Sequence, residues 1–386
     1  MRRKQILTPA LAPLLACGFL VQSLVPMLRI MTTYQVLEHD LGARTVGLVS
    51  AVFALLPMLL AIQIGRLNDR GGVGPALVTG SAATVLAALV LWLAPAGLAT
   101  FLVGNAILGI GQTLVLSALQ LVASRVSSRS HRDAVLGNYM VAISTGQAIG
   151  PLVIGLADGR YALVTAFATS VLLLVASGLL YRRAPRTPRS AHSSRVPLSQ
   201  IAATPGLWWV ILLGSVCVAA QDLILAFLPL LGIDRGLSQI QVGILLSIRA
   251  MAAIASRLLF GQAVRHLGRM RLTLLSALLS GLGMLTFVLD LPLWALALSI
   301  AAAGFGLGIT LTSSVALTMM IAPVAVRGTA LSLRLTANRL AQFSIPLAAG
   351  AVVAPLGAAG VFGLCGATLL GVLAGRPRRF GGGAPL

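Results

Sequence analysis

Twelve runs of about twenty predominantly apolar residues recur along this chain, and no other feature limits its folds as strongly. They fall at roughly 9–33, 44–64, 76–94, 98–123, 134–156, 161–181, 207–231, 240–260, 272–289, 293–318, 329–352 and 358–374. A run of that length crosses the hydrocarbon core only as a helix, because lipid offers no partner to an open backbone N–H or C=O. Composition agrees: 58% of the 386 residues are hydrophobic and 9% charged, against about 25% charged in a soluble domain. The sequence predicts an all-α polytopic membrane protein.

The net charge of +20 raises the question of a nucleic-acid partner. Basic residues in such proteins gather on one aqueous face or motif. Here most occupy short gaps between apolar runs, so no nucleic acid is expected. If the N-terminus is cytoplasmic, Arg2, Arg3, Lys4, Arg66, Arg70, Arg125, Arg182, Arg269 and Arg376 share that side, while Arg44, Arg160 and Arg235 lie outside. The positive-inside bias then predicts a multi-pass protein of the cell (inner) membrane with both termini cytoplasmic. The start, "MRRKQILTPALAPLLACGFL", imitates a secretory leader, but its apolar run continues to about Leu28, which predicts an uncleaved first span.

Enzyme chemistry finds no footing. Cys17, Cys217 and Cys365 lie scattered inside apolar runs, which argues against a disulfide framework or a thiolate metal site. His39, His131, His192 and His266 fall in loops on both sides without acids spaced to share a metal. No nucleotide-binding loop or cluster of nucleophiles occurs, so neither an ATP-driven pump nor a membrane enzyme is expected. No cofactor is expected either.

The stretch at 182–206, "RRAPRTPRSAHSSRVPLSQIAATPG", is rich in Arg, Pro and Ser and reads as a solvated linker. It separates a six-span half, 1–181, from a second, 207–386, which ends in a short basic tail. The halves repeat. "VGLVSAVFALLPMLLAIQIGRLNDRGG" (46–72) aligns with "VGILLSIRAMAAIASRLLFGQAVRHLG" (242–268) at a shift of 196. "RDAVLGNYMVAISTGQAIGPLVIG" (132–155) aligns with "RGTALSLRLTANRLAQFSIPLAAG" (327–350) at a shift of 195. Two near-equal shifts align span with span, the repeat architecture of many secondary transporters.

With these features the chain resembles the major facilitator superfamily over essentially its whole length. "GRLNDRGG" resembles that family's signature loop through Gly65, Asp69, Arg70 and Gly72, although Gly74 and Pro75 stand where a basic pair usually follows. In the second copy Gly261 and Gly268 persist, and Arg265 replaces the acid. "GNYMVAISTGQAIGPLVIG" (137–155) resembles the antiporter motif of span 5 through Gly137, Gly146, Gly150, Pro151 and Gly155, with Ile154 in place of one further glycine. A span 4 arginine common in proton-coupled exporters is missing: Asn105 stands four residues before Gly109.

The resemblance implies two six-helix bundles related by a pseudo-twofold axis. It implies alternating access, a latch in which the acid at Asp69 meets span 11 with Arg70 bracing it, and proton-driven export of small organic molecules. An importer or a sugar or metabolite facilitator of the same superfamily is the alternative. It also places spans 3, 6, 9 and 12 against lipid, and those four carry no charge. A small-molecule substrate, protons, the bilayer and a monomeric working unit are the expected partners.

Residue chemistry adds detail. Gly146 and Gly150 share one face of span 5, Gly137 and Gly155 the opposite one, so neighbouring backbones can approach it from two sides while Pro151 loosens it. Charges inside spans are costly and usually functional. Those here are Arg29, Asp222, Arg249, Arg257, Arg334 and Arg339. Arg29 and Arg257 lie near span ends and can snorkel. Asp222 is the only acid well inside a span, at a depth similar to Arg249. Unpaired in a dry cavity it would carry a coupling proton; paired with Arg249 it would act as a lock. Gln22, Arg29, Asn105, Gln112, Thr113, Ser117, Gln221, Arg334, Asn338, Arg339 and Gln342 are candidate lining of a water-accessible cavity.

Overall fold

A computed structural model describes residues 10–69, 73–125, 132–157, 159–183, 204, 206–322 and 327–376. Among them the chain forms α1 (Leu11–Glu38), α2 (Ala43–Asp69), α3 (Val73–Leu93), α4 (Leu98–Arg125), α5 (Arg132–Leu156) and α6 (Gly159–Arg183). After the linker come α7 (Leu207–Asp234), α8 (Gln239–Leu267), α9 (Arg269–Leu285) with a 3-10 turn (Thr286–Val288), α10 (Leu293–Ile321) and α11 (Arg327–Ala374).

Eleven of these helices are long and apolar enough to cross a membrane, where the sequence reading expects twelve. The difference lies in α11. Its 48 residues are two helices joined across Gly357, which takes φ 67° and ψ 179°. That region is open essentially to glycine alone, so Gly357 turns the chain without a loop. Gly268, at φ 74° and ψ 153°, does the same between α8 and α9. The start of α8 is set locally: Ser238 Oγ accepts from the Gln241 N–H, and the Gln241 side chain accepts from the Ser238 N–H, a reciprocal cap.

The outward faces of α6 and α9 carry large apolar side chains in the open, among them Leu172, Val175, Leu275 and Leu282. Such area is untenable in water and at home in acyl chains. With no hydrophobic drive between helices in lipid, small residues and hydrogen bonds hold the bundle. Ser81 and Ser177 meet at 2.6 Å between α3 and α6, and Ser276 and Thr310 at 2.9 Å between α9 and α10.

In the first half α1 packs on α4, α5 and α6, α3 on α4 and α6, and α2 on α4. In the second, α7 packs on α10 and α11, α9 on α10 and α11, and α8 on α10. The halves meet chiefly where α2 crosses α11 and α5 crosses α8, with α1 against α7 between them. α1 and α7 are the most enclosed spans, with 67% and 78% of their apolar windows buried.

Both major crossings are glycine contacts. A Cβ on Gly243 would stand 2.6 Å from Pro151 O and 3.2 Å from Gly155 Cα; one on Gly47 would stand 2.5 Å from Pro346 O and Gly350 Cα. On its other side α5 presses Gly146 and Gly150 into the main chain of α1 at Phe19 and Ser23. Span 5 is thus held from two sides, as expected, through Gly146, Gly150 and Gly155. Gly137 departs from that expectation: it is exposed and a Cβ there meets nothing.

Replacing Gly243 with valine should force α5 and α8 apart, at a cost of about 1–3 kcal/mol. A drop of several degrees in the melting temperature of the purified protein is expected. Gly178→Ala, where a Cβ meets open space, should leave it unchanged.

Candidate functional site

The enclosed pair α1 and α7 brings opposite charges together across the halves. Arg29 Nη1 donates to Asp222 Oδ1 at 2.8 Å, with side chains 4% and 16% exposed. The sequence reading offered Arg249 as the partner of Asp222 and a snorkelling role for Arg29. Both are corrected: Arg29 is buried and ion-paired, and its guanidinium also lies 4.5 Å from the Phe53 ring centre on α2. Depth is the signal that could have found it. Arg29 lies nine residues before Glu38 and Asp222 twelve before Asp234, which is about 14 and 18 Å from helix ends on one side.

From Asp222 the polar contacts run on. Gln342 Nε2 donates to Oδ2 at 2.7 Å, Arg339 donates to Gln342 Oε1 at 3.2 Å, and its other amino group donates to Thr113 Oγ1 on α4 at 3.2 Å. One connected set therefore ties α1 and α4 to α7 and α11. Thr33 on α1 adds a hydrogen bond to the Ala226 carbonyl on α7 at 3.3 Å. Arg249 on α8 is buried within the electrostatic reach of Asp222, and its Nε has no hydrogen-bond partner among the described residues.

Other candidates serve helix contacts. Asn105 is 1% exposed and donates to Thr32 Oγ1 on α1 at 3.3 Å, so it pins α4 to α1. Gln112 donates to Gln22 at 3.1 Å across the same interface. Ser215 donates to Asn338 at 3.0 Å, and Arg334 to Ser314 at 2.9 Å, within the second half. Gln221 sits half-buried beside Asp222. Arg257 does not snorkel: it donates to Ser144 on α5 at 2.9 Å, and Ser247 donates to the Ala148 carbonyl at 2.6 Å, so two polar bonds join α8 to α5. Ser144 and Ser247 carried no signal in the sequence, since serines are common in membrane helices.

A family profile described as Major Facilitator Superfamily matches residues 11–346 and 234–379. The chain belongs to that superfamily. It is a transporter and not an enzyme. Solved structures share the fold at low identity. A nucleoside transporter, NupG, superimposes with a TM-score of 0.81 at 11% identity, covering 95% of this chain and 98% of its own. A POT family transporter bound to a thioalcohol-conjugated peptide gives 0.77 at 15%, covering 94% of each chain. A bacterial homologue of the human lysosomal transporter Spinster, inward-facing and unoccupied, gives 0.71 at 14%, covering 97% and 95%. No curated protein matches the sequence.

Within this superfamily member, Gly65 and Asp69 lie in the last turns of α2, while Arg70 and Gly72 fall outside the described residues, as do most of the 182–206 linker and Arg2, Arg3 and Lys4. Gly261 is exposed on α8, and Gly268 forms the α8–α9 corner.

Removing one member of a buried pair strands the other charge. Arg29→Met should destabilise the protein by about 3 kcal/mol, and Arg29→Met combined with Asp222→Leu by clearly less. Thermal melts of the two single variants and the double variant give the coupling. Additive losses would show that the pair carries no interaction energy.

Proposed function

We propose that this chain is a proton-coupled secondary transporter of small organic solutes, working by alternating access between two six-helix bundles, with Asp222 as the residue where proton and cargo are linked. One observation carries the reading: the only acid deep inside a span is salt-bridged across the two halves. In the paired state Asp222 acts as the lock; opening the pair frees the carboxylate to take a proton, which keeps Arg29 released and α1 loosened from α7.

The architecture supports this. The two limbs of α11 supply spans eleven and twelve. The crossings Gly47–Gly350 and Gly243–Gly155 are images of one another under the shifts of 196 and 195 that relate the halves, which is what a pseudo-twofold axis requires. With both termini cytoplasmic, these crossings and the Arg29–Asp222 pair close the outer side. Asp69 and Arg70 serve as the opposite latch. The relatives in fold are described with peptide and nucleoside cargo, which favours small solutes.

Direction follows from the sign of coupling. A cation or neutral solute that needs a free Asp222 expels its proton, giving antiport and export; the glycine pattern of α5 favours this. An anion competes with the carboxylate for guanidiniums and travels with the proton; the surplus of arginines near Asp222 favours this second reading.

Vesicles reconstituted with the protein and loaded with a pH dye test the proposal, using ethidium, uridine, dialanine and benzoate as probes. At least one should move protons through the wild type, and Asp222→Asn should abolish that proton movement while solute exchange persists. Solute flux indifferent to the pH gradient, or undiminished proton flux in the variant, would refute it.

A further inference from the structure

Arginine outnumbers acid at the centre of the bundle. From the elements packed on α7, the charged groups within electrostatic reach of Asp222 are Arg29 on α1, which pairs with it, Arg339 on α11, linked to it through Gln342, and Arg249 on α8. α10 has no charged residue, and α2 turns Phe53 toward Arg29. One carboxylate thus stands among three guanidiniums. All eight acids of the chain are accounted for: Glu38, Asp40, Asp69, Asp133, Asp158, Asp234 and Asp290 lie at or beyond helix ends, which leaves Asp222 alone in the interior.

Hydrogen bonds absorb the surplus only in part: Arg339 donates to Gln342 and Thr113, but the other two guanidiniums keep open donors. Arg29 Nη2 and Arg249 Nε are buried with no partner among the described residues, and these side chains are over nine-tenths enclosed. Each guanidinium presents five donors in a rigid fork that fits the paired oxygens of a carboxylate or phosphate. Cations without a counter-charge are expensive inside a membrane and mark substrate or ion paths.

We infer that the cargo is a small organic anion bearing a carboxylate or phosphate, received by Arg249 and Arg339 beside the Arg29–Asp222 pair. This rests on the reading of Asp222 as the coupling acid for its direction. The anion and the Asp222 carboxylate compete for the same guanidiniums, and a proton on Asp222 removes the competitor. Proton and anion therefore load together, which makes the cycle a symport.

The experiment is thermal stabilisation of the full purified chain by benzoate, succinate and inorganic phosphate, with neutral benzamide as the matched control. The anions should stabilise, more strongly at acid pH, and benzamide should not. The ratio of succinate to phosphate effects identifies the preferred oxyanion. Arg249→Gln should weaken anion binding roughly tenfold, and Arg339→Gln gives an independent second variant should the first fail to fold. Asp222→Asn should tighten it by a similar factor at neutral pH and remove the pH dependence. Equal stabilisation by benzamide and benzoate, no stabilisation by any of the anions, or weaker binding in Asp222→Asn overturns the inference. Anion binding left unchanged by Asp222→Asn upholds the anionic cargo and overturns Asp222 as the coupling acid. Ethidium-driven proton antiport without any anion effect upholds that coupling and overturns the anion.

Discussion

A charge in hydrocarbon must find its opposite, and in this molecule the single interior carboxylate finds it across the boundary between two halves. Arg29 and Asp222 sit on α1 and α7, the two most enclosed helices, 193 residues apart in sequence. A buried ion pair adds little net stability, because the desolvation of both groups offsets their attraction. Breaking it by removing one charge is costly. An interaction of that kind is poor as glue and specific as a link, since each charge holds the other in place across the boundary. Gln342, Arg339 and Thr113 extend its reach to α11 and α4.

The rest of the interface between the halves is of a different kind. α2 meets α11 and α5 meets α8 through glycines, where main chain lies against main chain. The polar bonds at the α5–α8 crossing, from Ser247 to Ala148 and from Arg257 to Ser144, are few. Within each half the packing is denser in hydrogen-bonded small residues, such as Ser81 with Ser177 and Ser276 with Thr310. The same overall fold is shared by solved transporters at identities below one fifth.

Much of the fold was legible because lipid imposes a simple grammar: long apolar runs, basic gaps and a repeat at a shift of 195–196 locate the helices and their pairing. Gly357 escaped that grammar, since a corner made by one residue leaves no polar gap to read. The site was half legible. Charged residues in spans named its members, including Asp222, Arg249 and Arg339, but depth along a helix says nothing of rotation about it. Rotation is why Asn105 looks like cavity lining although it faces Thr32, while Arg29 looks like a snorkelling end residue only until its depth is set beside that of Asp222. Gly137 matches a pattern, yet a Cβ there would meet no described neighbour, which shows that a motif position and a close helix contact are different things.

The paired crossings have an evolutionary corollary. Because Gly47 rests on Gly350 and Gly243 on Gly155, the contact between the halves is written in backbone, with no rotamers to be re-tuned when neighbours mutate. Side chains around Asp222 can then change in chemistry without disturbing the two crossings at which the halves meet. That separation of backbone crossing from polar centre is a physical reason why one architecture tolerates so wide a divergence in sequence.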